Sequence, residues 1–131
     1  MKAAKVLSVC LLSWLAGLGS YCFVWYRMEG RISTRELPAV VFWSAFALFP
    51  FLIFYGVAVS KLNQSSQRDN PVIYGVVCAL IGVLPILLLN LWFGGLSGPL
   101  LSSESLLFFA HFGTMGFMFG TLYAMFLRVP K

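Results

Sequence analysis

The stretch VIYGVVCALIGVLPILLLNLWF, Val72 to Phe93, contains no Asp, Glu, Lys or Arg. An α-helix rises about 1.5 Å per residue and the hydrocarbon layer of a bilayer is roughly 30 Å deep, so about 20 apolar residues cross it. Three further stretches share this character: Val6 to Tyr26, Pro38 to Ser60 and Ser105 to Leu127. In lipid the backbone must satisfy its own hydrogen bonds, which selects helices for isolated runs of this length. The expected fold is all-α, a polytopic (multi-pass) integral membrane protein. It forms one antiparallel bundle of four transmembrane helices over residues 1–131, with spans at 6–26, 38–60, 72–93 and 105–127.

Composition excludes an ordinary soluble domain. Hydrophobic residues make up 60% of the chain and charged residues 10%, against about a quarter charged in soluble proteins. The net charge of +5 does not point to nucleic acid, because no basic cluster with interleaved aromatics stands outside the spans. The basic residues read instead as topology markers. Lys2, Lys5, Lys61, Arg68, Arg128 and Lys131 fall on one side of the bundle, whereas Arg27, Arg31 and Arg35 fall on the other with Glu29 and Glu36. By the positive-inside rule both termini and the second loop are cytoplasmic, and the expected location is a bacterial cytoplasmic (inner) membrane. On this topology Trp25, Trp43 and Trp92 lie towards the outer interface and Tyr55, Tyr74 and Tyr123 towards the inner one, the two levels that amphipathic rings favour. Met1 to Ser20 has the layout of a secretory signal, but the apolar run continues to Tyr26, which suits a retained helix better.

Helix starts are written in the loops. Asn70 and Pro71 supply an N-cap and a pre-organised first residue for the third span. Ser102 is placed to cap the fourth, with Glu104 in its first turn where a carboxylate complements the helix dipole. Ser33 and Glu36 have capping-box spacing before the second span, yet that start would bury Pro38 in the helix, so a start at Pro38 is expected. The loop from Gly94 to Glu104 is glycine-rich and reads as an apolar turn at the outer surface. The Asn63-Gln64-Ser65 sequon faces the cytoplasm in this topology and reads as a chance match. Pro50 and Pro85 read as ordinary kinks.

Small residues mark the helix contacts. In the fourth span Gly116, Gly120 and Ala124 share a face with Gly113 close by, and the third span has a matching groove of Gly75, Ala79 and Gly82. Cys10, Ser13, Gly17 and Ser20 line one face of the first. Lipid removes the hydrophobic drive between helices, so close backbone approach through small residues takes its place. On the opposite face of the fourth span lie His111, Met115, Met118, Leu122 and Met125. Phe108, Phe112, Phe119 and Phe126 occupy a third side, expected to meet lipid or a partner.

Chemistry is sparsely represented. There is no paired carboxylate, HExxH, phosphate loop or CxxC among Cys10, Cys22 and Cys78, and no enzymatic activity, metal or other cofactor is expected. The Met and His face has donors suited to Cu(I), but a packing role for Met and a hydrogen-bonded His111 is the simpler reading. A neutral imidazole in a nonpolar span needs a partner, and Asn90 is the polar residue with which His111 is expected to form a niche. The leading expectation is a small non-catalytic accessory or assembly subunit. Its partners are the lipid bilayer and either another membrane protein or further copies of itself, with no nucleic acid. The alternative is a small oligomeric channel or carrier for an uncharged, apolar or soft-metal substrate, with a path near Pro50, Pro85, Asn90 and His111.

Overall fold

The computed structural model describes residues 2–65, 70–94 and 103–128. Their regular structure is helical throughout: α1 Lys2–Glu29, α2 Leu37–Asn63, α3 Pro71–Leu89 and α4 Ser103–Leu122. Single π-helical turns, Asn90–Gly94 and Tyr123–Leu127, extend α3 and α4. Four helical stretches, Lys2–Glu29, Leu37–Asn63, Pro71–Trp92 and Ser105–Leu127, are long and apolar enough to cross a membrane. The fold is an all-α four-helix bundle.

Local chemistry explains the ends. Gly30, at φ +71°, stops α1, and its amide donates to the Tyr26 carbonyl at 2.8 Å, a left-handed closure that glycine adopts without a steric penalty. The Asn70 side chain accepts from Val72 N at 2.9 Å and Pro71 opens α3. At α2 the Ser33 carbonyl accepts from the amides of Glu36 and Leu37, and Glu36 makes no side-chain cap. The helix begins at Leu37 with Pro38 in its first turn, where a missing amide costs nothing. Ser102 and the side chain of Glu104 lie outside the described residues, as does most of the third loop. Pro50 and Pro85 both fall inside helices that continue through them.

The bundle is unequal. α4 packs broadly against α3 and α1, whereas the α2 backbone stands farther from α1 and α4 and reaches α4 through large side chains, Phe51 and Tyr55. Between α3 and α4 the backbones approach so closely that a Cβ on Gly120 would strike the Tyr74 carbonyl, and one on Gly116 the Cys78 carbonyl. A Cβ on Gly82 would lie 2.6 Å from the Phe112 carbonyl oxygen, and one on Gly75 would meet Thr121 Oγ1 and Phe117. The two grooves therefore face one another. The first span joins the same scheme, since a Cβ on Gly17 would sit 2.7 Å from the His111 carbonyl oxygen and 2.9 Å from Met115 Cβ.

Several aromatic positions differ from expectation. Phe112 and Phe119 do not meet lipid but are core residues, stacked on Phe51 at 4.0 Å and on Tyr55 at 5.4 Å between ring centroids. Phe108 and Phe126 of the same row are exposed. α4 is covered by a neighbour on nearly every side, so its aromatic row becomes lipid-facing only towards its ends. Tyr55 and Tyr74 are fully buried in the bundle, and Trp25 is buried with its Nε1 donating to Glu29 Oε2 at 2.7 Å. Trp43 and Trp92 are exposed.

Candidate functional site

Polar side chains inside a bundle need partners, and most here have one. Ser13 donates to the Val9 carbonyl within α1, and Thr114 of α4 donates to Ser20 of α1 at 3.0 Å. Trp14 Nε1 donates to Ser44 Oγ, joining α1 to α2. Tyr55 donates to the Phe112 carbonyl at 3.1 Å, joining α2 to α4. Asn63 is the centre of a three-helix knot: its amide oxygen accepts from Tyr74 at 2.7 Å and its Nδ2 donates to Tyr123 at 2.9 Å. The sequon asparagine is thus a packing residue in this fold.

The expected pair of Asn90 and His111 is not joined. Asn90, at the π-helical end of α3, accepts from Ser105 Oγ at 3.0 Å. His111 lies elsewhere on α4 with its ring edge-on to Tyr21 and Phe112, at centroid distances of 6.3 and 4.7 Å. It is 2% exposed, and its ring lies against the Gly17 backbone of α1 without either nitrogen reaching full hydrogen-bond geometry among the described residues. The nearest backbone is that of α1: a Cβ on Gly17 would stand 3.1 Å from Nδ1. Asn90 Nδ2 and Thr121 Oγ1 are also unpaired among the described residues, Thr121 packing against Gly75. His111 lines a cavity.

That cavity, of about 410 Å³, lies between α1, α2 and α4. Tyr21 of α1, Trp43 and Ser44 of α2 and Phe108, His111 and Phe112 of α4 supply most of its chemistry, and Glu36 stands at its rim. Ser44 is already satisfied, donating to the Val41 carbonyl and accepting from Trp14. The site is thus an aromatic hollow with one buried imidazole that has only a marginal backbone partner, Gly17. Its volume lies in the range of small-molecule sites, which are mostly apolar with a few placed polar groups.

Of the small residues expected at helix contacts, Gly75, Gly82, Gly116 and Gly120 lie in the α3–α4 seam described above, with Ala79 N 3.0 Å from a Cβ on Gly116. Gly113 faces Val83, at 3.3 Å from a Cβ to Val83 Cγ2, and Ala124 packs half-buried on the core. Cys10, Cys22 and Cys78 are free thiols. Among the described residues no three His, Cys, Asp or Glu side chains converge as a metal group would. Sequence reasoning missed the cavity. Its trace is the row Val40, Ser44 and Ala47, small side chains at helical spacing on a helix otherwise crowded with phenylalanine. No protein-family model, curated protein or solved structure matches the chain.

Proposed function

We propose that the chain is a small non-catalytic accessory or assembly subunit that works by lateral packing in the membrane, with α2 as its docking face. One observation carries this reading. Only 6% of the apolar core of α2 is buried within the bundle, against 39% for α4. The uncovered face is ordered: Phe42, Phe46, Phe49 and Ile53 are all exposed and recur at alternating steps of four and three, followed by the open Gly56. That is the seam spacing with which one helix packs against another. Both termini in the cytoplasm of a bacterial cell, with the bundle in its inner membrane, is the orientation that the basic residues favour.

The test is a photo-crosslinking side chain in place of Phe46, with Leu80, an exposed residue of α3, as the comparison site. The expected result is a discrete protein adduct at position 46 and lipid adducts alone at position 80. An adduct of twice 14.6 kDa identifies the partner as a second copy, and any other discrete mass identifies a different membrane protein. Lipid adducts alone at both positions overturn the proposal.

A second reading, a binder or carrier of an uncharged apolar molecule, is supported by the aromatic cavity beside His111.

A further inference from the structure

We infer that the cavity between α1, α2 and α4 is a binding site for an uncharged, membrane-soluble ring compound bearing a carbonyl or hydroxyl oxygen that hydrogen-bonds to His111. This rests on the second reading above and specifies its ligand; it does not depend on the docking of α2.

Three features on the wall define the ligand. The first is shape and apolarity. Tyr21, Trp43, Phe108 and Phe112 line a volume of about 410 Å³, and flat faces of this kind favour a flat guest, since aromatic rings pack offset or edge-to-face. The second is the single buried demand. His111 is 2% exposed; the Gly17 backbone of α1 lies against its ring, but neither nitrogen reaches full hydrogen-bond geometry among the described residues, and a polar group left short of a good bond in apolar surroundings is costly. One complementary oxygen on a ligand answers it. Both nitrogens are out of reach of solvent as the ring stands, so the ligand meets one of them through a turn about the Cβ–Cγ bond, a torsion with broad wells. The third is charge. The hollow has no cationic wall residue to pair an anion, and its one carboxylate, Glu36, is an exposed rim residue away from the buried imidazole. A charged group at the depth of His111 would lack a counter-ion, which excludes it energetically. Access is lateral, from the bilayer, on the side where the exposed Trp43 and Phe108 stand in the wall.

The test uses the full chain in detergent micelles or lipid nanodiscs with duroquinone as a binding probe. A bound quinone quenches nearby tryptophan, and Trp43 lines the cavity. The expected result is a saturable component of quenching that disappears in Trp43→Phe. Durene, the same ring without oxygens, should displace duroquinone about tenfold more weakly, the loss of one good hydrogen bond. His111→Leu should weaken duroquinone by a similar factor while His111→Gln, which keeps a donor and an acceptor, should retain most of it. The durene comparison uses wild-type protein, so it stands even if His111→Leu does not fold. Quenching without a saturable component overturns the second reading itself, leaving the cavity to water or acyl chains. Saturable binding with durene as tight as duroquinone retains the site but overturns the role of His111. Tighter displacement by tetraphenylphosphonium than by any neutral ring overturns the neutral class and points to Glu36.

Discussion

Gly120 and Gly19 are the same residue in helices of the same apolar character, and their surroundings separate them completely. A Cβ on Gly120 would strike the Tyr74 carbonyl, whereas one on Gly19 meets nothing within 4 Å. Gly120→Leu should therefore force α3 and α4 apart and lower stability by about 3 kcal/mol or more, beyond the usual cost of overpacking because the obstacle is backbone. Gly19→Leu should stay within about 0.5 kcal/mol. Denaturation midpoints of the two variants in a mixed-micelle titration check this, and equal midpoints would show that the seam yields. At this scale the sequence was legible where a residue's own size carried the message, as in the glycines of α3 and α4. It was not legible for His111. A lone imidazole announces that it needs a partner, but which helix stands opposite it is a fact about three other segments.

Element by element, α4 teaches the limit of a periodic pattern. Phe108, Phe112, Phe119 and Phe126 fall on one side of the helix, and that much is a matter of 100° per residue. Whether the side is covered depends on α2, whose Phe51 and Tyr55 stack onto Phe112 and Phe119. Phe119 is 7% exposed and Phe126 is 57% exposed. Phe119→Ala should cost about 3 to 5 kcal/mol, the range for a buried aromatic truncated to a cavity, and Phe126→Ala less than about 1 kcal/mol. Unfolding of purified protein in detergent distinguishes them; a larger loss for Phe126 would reverse the assignment of the two faces. The starts of helices needed no such tertiary information. Asn70 and Pro71 open α3 through contacts with the next two residues, and chemistry that local is visible in the letters. The letters did not show that Tyr55, Tyr74 and Trp25 are buried by neighbouring helices, because an aromatic ring near a span end serves equally as an interface anchor or as core.

For the whole molecule the open property is orientation. Four helices are long and apolar enough to cross a membrane; we propose that all four do, which puts both termini on one side, and the basic residues favour the cytoplasm. Thiols introduced at Gln64 and at Ser97 should respond oppositely to a membrane-impermeant reagent in intact cells, with labelling at 97 and none at 64. Labelling at 64 alone would invert the molecule. The cavity adds a consequence that no count of spans contains: a guest beside His111 enters between α2 and its neighbours, where Phe51 and Tyr55 stay stacked on α4.

Taken alone, the sequence determined the class of the protein and its local punctuation. Four charge-free runs of membrane length leave the backbone no alternative to helices in lipid, and glycine rows mark where such helices approach. Both are properties of single segments and survive without knowledge of the neighbours. The tertiary structure alone decided which helix lies at the centre, which aromatic rings are core, and that His111 borders an aromatic cavity instead of Asn90. The physical reason is that lipid and protein interior are almost equally apolar. A side chain facing one has the same composition as a side chain facing the other, so only the arrangement of helices separates them.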